Sequence, residues 1–172
     1  MKTSLSKYFC AFIILCYTLS CSDDENSSNK VSDRNSTTEE EKPTGKPPIP
    51  LSITEEILKL VNEHRQNKGL TKLITNKTAE QLAVTHTEYM ISKSTISHDD
   101  FSSRKSVLNK KENARSAAEN VASFYPDAKS VVAGWLASSG HKKNIEGNYT
   151  HTGIAAIKDK DGKYYYTQLF YR

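Results

Sequence analysis

The chain has 172 residues, a formal net charge of +4 and 36% hydrophobic residues, which leaves room for one globular domain and little more. Its Lys and Arg residues form no dense cluster and do not interleave with aromatic residues, so nucleic-acid binding is not indicated. The three cysteines, Cys10, Cys16 and Cys21, all lie near the N-terminus, which excludes a disulfide scaffold for the rest of the chain.

Residues 1–20 have the pattern of a signal peptide. Lys2 and Lys7 precede a short apolar run, Tyr8–Tyr17, that is too short to span a bilayer comfortably. Cys21 follows a Leu-Ser pair and resembles the Cys of a bacterial lipobox, which becomes the lipidated first residue of the mature protein. We therefore expect acyl chains on Cys21 to anchor the protein to a membrane. The alternative is a plain secretory signal with an incidental Cys.

Residues 21–50 are expected to be the lipidated Cys followed by a disordered linker. They are rich in Ser, Asn, Thr, Glu and Lys, end in a proline-rich stretch, and contain almost nothing that a core could bury. The acidic start, Ser22–Glu25, resembles the export signal of surface lipoproteins in Bacteroidetes-type bacteria, and the alternative is the start of a solvated linker. The folded domain is accordingly predicted over residues 51–172.

Four helices are predicted from apolar periodicity and capping residues. They begin near Thr54, Asn76, Asp99 or Asp100, and Asp127. The first ends at Gly69 and the second near Lys93. Gly140 is expected to end the fourth helix in the left-handed conformation, which would hold the imidazole of His141 just beyond a rigid helix end.

The remaining elements are strands. A short strand is predicted over 119–124, and Asp161-Gly162 is the turn signal of a hairpin whose strands cover 152–157 and 163–171. Helices that come first and a strand pair that comes last indicate an α+β domain, in which helices cover a sheet.

Several ionisable residues are candidates for a site. His98 lies on a loop beside two aspartates, and Glu119 lies among Ala and Val residues, where a carboxylate needs a partner or a raised pKa. His141 follows the fourth helix. His64 and His86 fall at or near the apolar faces of their helices, so both are interpreted as structural histidines.

Five motifs lie in a fixed order along the predicted domain. They are Ser97-His98, Ala118–Ala122, Trp135–Ile145, Gly153–Ala155 and Tyr165–Phe170. Their order and spacing resemble those of a bacterial CAP domain, from the superfamily of cysteine-rich secretory proteins, antigen 5 and pathogenesis-related 1 proteins. The resemblance implies an α-β-α sandwich with a central, mainly antiparallel sheet, here with the four flanking helices predicted above.

Eukaryotic members of this family have a cavity with two histidines and two acidic residues. By position, His98 resembles the first histidine and Glu119 the first acid, whereas Tyr165 stands where the second histidine would fall and a serine, Ser138 or Ser139, where the second acid would fall. His141 is typical of bacterial members. The resemblance therefore implies a cleft lined by His98, Glu119, His141 and Tyr165.

Two functions are compatible with these residues. The first is a non-catalytic, extracytoplasmic binding module, anchored at the cell envelope and facing the periplasm or the cell surface, whose cleft holds a lipid, glycan or peptide. It needs no cofactor, and we expect a monomer. The second is an envelope hydrolase of peptidase type, in which His98, Glu119 and His141 bind a divalent metal that holds a water. No nucleophile is evident beside His141, so the first function is preferred and no catalytic residue is assigned.

Overall fold

The computed structural model describes residues 50–172; the predicted signal peptide, Cys21 and nearly all of the predicted linker lie outside the described residues. The described part contains five helices, α1 (Ile53–Asn67), α2 (Lys77–Lys93), α3 (Phe101–Glu112), α4 (Ala128–Ala137) and α5 (Ser139–Ile145). Its strands are β1 (Ile74–Thr75), β2 (Ala117–Ser123), β3 (His151–Lys158) and β4 (Tyr164–Tyr171). None of these helices combines the length and the apolar character that crossing a membrane requires.

The strands form one mixed sheet in the order β1-β3-β4-β2. The β3–β4 hairpin and the β2–β4 pair are antiparallel, and the short β1 runs parallel to β3. Helices α1 and α4 cover one face of the sheet around the buried Trp135, and α2 covers the other face against Ala155 and Leu169. The predicted α-β-α sandwich with a mainly antiparallel central sheet is therefore confirmed.

The starts of the helices follow the capping residues in most cases. Asn76 and Asp127 cap α2 and α4 as predicted, each accepting a backbone N–H with its side chain. The cap of α1 is Ser52, two residues before the predicted Thr54, because Ser52 and Glu55 form a reciprocal capping box. Asp100 precedes α3 in the left-handed conformation, with φ of 56°, and its side chain makes no capping bond.

The four predicted helices are present, but a fifth helix follows them, and the prediction of a left-handed Gly140 is wrong. Helix α4 ends at Ala137, and Ser138 is extended, with φ of −89° and ψ of 123°. A new helix, α5, then begins at Ser139 and contains both Gly140 and His141. Ser138 ends α4, and its backbone oxygen accepts the first hydrogen bond of α5, from the N–H of Lys142 at 2.8 Å. A second short helix therefore stands where a glycine cap was expected.

One buried arginine fixes the loops between the helices and the sheet. Arg65 on α1 is 1% exposed, and its guanidinium contacts no carboxylate among the described residues. Its nitrogens instead donate to backbone carbonyl oxygens at 2.6–3.0 Å, those of Thr71, Ile145, Gly147 and Tyr149. The neighbouring His64 binds Glu146 at 2.8 Å, so it has a structural partner, in line with its interpretation.

Candidate functional site

Glu119 on β2 is the centre of the candidate site. Its side chain is 1% exposed and points toward the layer of α2 and α3. Arg104 on α3 donates two hydrogen bonds, from Nε to Oε2 at 2.7 Å and from Nη2 to Oε1 at 2.8 Å. His98 donates a third, from Nδ1 to Oε1 at 2.8 Å. The carboxylate is thus neutralised by a bidentate guanidinium and also fixes one ring nitrogen of His98.

The loop that carries His98 is held in place by α2. His86 donates from Nε2 to the backbone oxygen of Ser97 at 2.8 Å, and the backbone N–H of Ser97 lies 3.5 Å from the sulfur of Met90. On the other side of His98, the Tyr89 hydroxyl donates to the Asp99 carboxylate at 2.8 Å. These contacts come from one face of α2, because residues three and four apart on a helix are neighbours.

His98 presents its second ring nitrogen to the outside. Its Nδ1 donates to an acceptor, the Glu119 carboxylate, so the neutral ring carries its free lone pair on Nε2. The His98 side chain is 53% exposed, whereas the carboxylate behind it is buried. The pair therefore orients an accessible imidazole toward whatever occupies the adjacent surface.

His86 lies directly behind this pair. Its Nε2 is 3.8 Å from Oε1 of Glu119, and its ring stacks on Tyr89 with centroids 5.9 Å apart. Burial lowers the pKa of His86, and the bond to Ser97 and the nearby Glu119 oppose the shift. A carbonyl oxygen can only accept, so Nε2 carries the proton and Nδ1 is left as an acceptor.

His141 approaches from the opposite layer of the sandwich. It lies in the first turn of α5, and its backbone oxygen accepts a hydrogen bond from the side chain of Asn120 at 3.1 Å. Burial lowers the pKa of His141, and a positive charge on His98 lowers it further. Among the described residues no hydrogen bond joins His141 to His98 or to the Glu119 carboxylate.

Tyr165 is not part of an open cleft. It shares a sheet face with Glu119 but is 2% exposed, and it packs with Met90 and Val121 in a hydrophobic cluster. Its ring meets Phe124 edge-on at 5.5 Å. The structure thus joins His98 to Glu119 directly, ties the backbone of His141 to the neighbouring Asn120, and leaves Tyr165 in the packed interior.

A pocket of about 240 Å³ opens between α2 and α3 beside the Glu119 cluster. His86 and Arg104 form part of its lining, and both also approach Glu119. Apolar walls come from Leu82 and Val107, and the polar part of the lining includes Asp99, Asp100 and Tyr89. The pocket therefore combines a mainly apolar interior with hydrogen-bond acceptors.

Arg104 was missed by the sequence reasoning, and His86 was assigned only a structural role. A signal for Arg104 existed, because a carboxylate among Ala and Val residues needs a cationic partner and Arg104 lies in the helix that follows His98. His86 contacts the loop after α2 through its bond to Ser97, and the spacing of residues in the sequence does not predict the path of that loop.

The donor set does not suit a divalent metal. The oxygens of Glu119 already accept three hydrogen bonds, and the Arg104 guanidinium lies 2.7 Å from one of them, so a cation would meet a fixed positive charge. Within residues 50–172, no group of three or more His, Cys, Asp or Glu side chains is placed to hold a metal ion. The ligand set of His98, Glu119 and His141 is therefore not assembled there.

Comparisons with known proteins agree with the fold. The sequence model of the cysteine-rich secretory protein family, CAP, matches residues 58–170. The chain is 34% identical over 126 residues to the Bacillus subtilis protein named uncharacterized membrane protein YlbC, and the match covers 71% of this chain and 35% of that protein.

Two solved structures are similar. An extracellular protein containing an SCP domain from Bacillus anthracis is 28% identical with a TM-score of 0.59, covering 69% of this chain and 40% of that one. An outer surface protein from Borrelia burgdorferi has a TM-score of 0.62 at 22% identity, covering 71% of this chain and 96% of that one, and this likeness shows the fold alone. The chain spans less than half of the length of each of the two Bacillus proteins.

Proposed function

The chain belongs to the cysteine-rich secretory protein (CAP) family, and we propose that it is a non-catalytic binding module of the cell envelope. A lipid on Cys21 holds it at a membrane, and the folded domain faces the periplasm or the cell surface. Its ligand, a lipid, glycan or peptide, occupies the pocket between α2 and α3 and reaches the exposed edge of His98.

The observation that carries this proposal is that the Glu119 carboxylate is buried and held by Arg104 and His98. A general base must keep a lone pair within hydrogen-bond reach of the proton that it removes. The Glu119 carboxylate instead accepts three hydrogen bonds from Arg104 and His98 at 2.7–2.8 Å and is 1% exposed. Glu119 is therefore a positioning residue, which orients the imidazole of His98.

The lining of the pocket indicates how a ligand is held. Leu82 and Val107 offer apolar surface to a hydrocarbon or ring portion of the ligand. The carboxylates of Asp99 and Asp100 are acceptors, so they favour a ligand that presents N–H or O–H groups at these positions. Glycans and peptides present both kinds of group, and lipids with polar headgroups do so at one end.

The names of the relatives support an extracytoplasmic location. One Bacillus relative is named a membrane protein, and the similar Bacillus anthracis structure is of an extracellular protein. In the present chain the predicted export signal and the Cys21 lipobox supply the anchor. We expect Cys21→Ala to move the protein from the membrane fraction to the soluble fraction, and membrane retention of the variant would contradict the lipid anchor.

Filling the pocket tests the binding function. The detergent-solubilised full chain is titrated with three probes, a fluorescent fatty acid, a soluble oligosaccharide of N-acetylglucosamine and an acetylated tripeptide. We expect Val107→Trp to abolish binding of the probe that the unmodified chain retains, because Val107 lines the pocket. Ser106→Trp, at the exposed neighbouring position on α3, is the matched control and should bind as the unmodified chain does.

The same preparation tests for catalysis. It is assayed for hydrolysis of generic peptide and ester substrates beside His98→Ala. We expect no hydrolysis in either protein. Turnover that is present in the unmodified chain and lost in His98→Ala would overturn the non-catalytic assignment.

A further inference from the structure

Strand β3 has an outer edge that is covered only at its beginning. The two residues of β1 pair with His151 and Thr152, and the N–H of Asn76 then donates to the Thr152 oxygen at 3.0 Å. At Asn76 the chain leaves the edge, because the Asn76 side chain caps α2. From residue 153 to residue 158, no described strand lies beside β3 on this side.

The alternation of the ladder identifies the free backbone groups. At the hairpin, the N–H of Asp159 donates to the Lys163 oxygen at 2.9 Å, so odd-numbered residues of β3 pair with β4. Ile154 and Ala156 therefore direct their N–H and C=O groups away from β4. No described residue forms a hydrogen bond with these groups.

These groups lie in a groove of about 370 Å³ between α1 and α2. Leu58 lines the wall formed by α1, Val84 lines the wall formed by α2, and both side chains are apolar. Glu55 and Glu80 add one carboxylate from each helix, and no Lys or Arg lines the groove. The groove thus combines a strand edge, two apolar walls and negative charge.

At the opposite edge of the same sheet, side chains bind the outward-facing backbone oxygens. Strand β2 also has outward-facing carbonyls, but the side chain of Asn144 donates to the oxygen of Glu119 at 3.1 Å, and Trp135 donates to the oxygen of Val121 at 3.2 Å. Proteins normally cover, shorten or charge an exposed edge, because it is a template for pairing with another chain. The fold covers the carbonyls of the β2 edge and leaves the β3 edge open.

We propose that this groove binds an extended peptide of another protein, which adds to β3 as a further strand between α1 and α2. Backbone groups spaced two residues apart are satisfied together by an extended chain, whose own groups repeat with the same period. Alternate side chains of such a peptide point toward the two walls, so apolar residues suit Leu58 and Val84. The carboxylates of Glu55 and Glu80 favour a peptide that also carries Lys or Arg. This site is separate from the pocket between α2 and α3.

The test uses a fluorescently labelled peptide of alternating valine and lysine and the detergent-solubilised full chain, with binding followed by fluorescence anisotropy. Ala156→Pro removes the outward N–H of Ala156 without removing a bond to β4, which is the position where an edge strand tolerates proline. We expect the affinity of this variant to be at least about fivefold weaker, the loss that corresponds to one hydrogen bond.

A second peptide keeps the test independent of how Ala156→Pro folds. Methylation of its alternate backbone nitrogens, on the edge that would face β3, removes the donors and leaves the side chains unchanged. Two peptides are compared, one methylated at its odd-numbered backbone nitrogens and one at its even-numbered ones. We expect the peptide methylated on the edge that faces β3 to bind at least about fivefold more weakly than the other. Equal binding of the two methylated peptides and of Ala156→Pro would overturn strand addition.

Charge variants test the preference for basic peptides. Glu80→Gln should weaken binding of the valine–lysine peptide and reduce its dependence on salt, whereas Glu88→Gln, exposed elsewhere on α2, should do neither. Equal effects of the two variants would overturn the charge argument. Two other results would overturn the proposal. A concentration-dependent dimer that Ala156→Pro abolishes would assign the groove to a second copy of the chain. Peptide binding that appears only after removal of residues 22–49 would assign it to the chain's own linker.

Discussion

Replacing Arg104 with methionine should destabilise the protein strongly, and replacing its partner as well should restore much of the loss. In the single variant Arg104→Met, the Glu119 carboxylate stays buried, with a side chain 1% exposed, and loses two hydrogen bonds of 2.7 and 2.8 Å. The carbonyl of Asp99 also loses its bond to the guanidinium at 2.7 Å. An uncompensated charge then remains in the interior.

The expected loss is about 3–5 kcal/mol, the usual cost of removing one partner of a buried ion pair. The free energy of unfolding of a small domain is only about 5–15 kcal/mol, so this loss is a large part of the total. The double variant Arg104→Met with Glu119→Leu replaces both charges with apolar side chains of similar size. It should be more stable than Arg104→Met alone, because an apolar replacement of a whole buried pair is often nearly neutral.

Urea denaturation measures these differences, followed by the fluorescence of Trp135, the one tryptophan of the chain, which is 1% exposed. Lys105→Met removes an exposed positive charge from the same helix and is the matched control, with an expected change within about 0.5 kcal/mol. A loss below about 1 kcal/mol for Arg104→Met, or a double variant no more stable than it, would refute the account of Glu119 as a buried, neutralised carboxylate.

Three further predictions concern stability. Arg65→Lys should lower the unfolding free energy by about 2–4 kcal/mol in urea, because a point charge with three donors cannot replace the planar fork that binds four carbonyls; an unchanged midpoint would contradict this. Burial lowers the pKa of His86 below its usual 6.5, so below that pH the unfolded chain binds more protons than the folded one. The free energy of unfolding should therefore fall as the pH drops below about 6.5. His86→Gln should reduce this pH dependence by up to about 1.4 kcal/mol per pH unit. Phe124 has φ of +69°, so Phe124→Gly should be about 1 kcal/mol more stable than Phe124→Ala by thermal unfolding, and equal stabilities would contradict the strain.

Capping residues and periodicity made most of the fold predictable. Asn76 and Asp127 are local signals, since each side chain binds the backbone three residues later, and the hairpin around Gly162 follows from a turn residue at φ of +78°. Strand β1 was not predictable in this way. It has only two residues, and it exists because Asn62 pairs with both backbone groups of Leu73 and directs the chain past β3.

The candidate site was predictable in its chemistry and less so in its geometry. The pairing of His98 with Glu119 followed from the family resemblance, and the need for a partner at Glu119 followed from its apolar neighbours. The sequence favoured a glycine cap before His141, but Ser138 starts a new helix, a choice that depends on how α5 packs against β2. Tyr165 carries no sequence signal that distinguishes a cleft wall from a packed interior.

The Glu119-Asn120 pair shows how one short segment serves both helical layers. Successive side chains of a strand point to opposite faces, so Glu119 meets Arg104 and His98 on one side. On the other side Asn120 accepts from the Asn144 side chain at 2.9 Å and donates to the backbone oxygen of His141 at 3.1 Å. Asn144 also donates to the backbone oxygen of Glu119, so α5 is tied to the residue that orients His98. The two histidines are therefore positioned through adjacent residues of one strand, which explains why an acid and an amide stand side by side in an otherwise apolar segment.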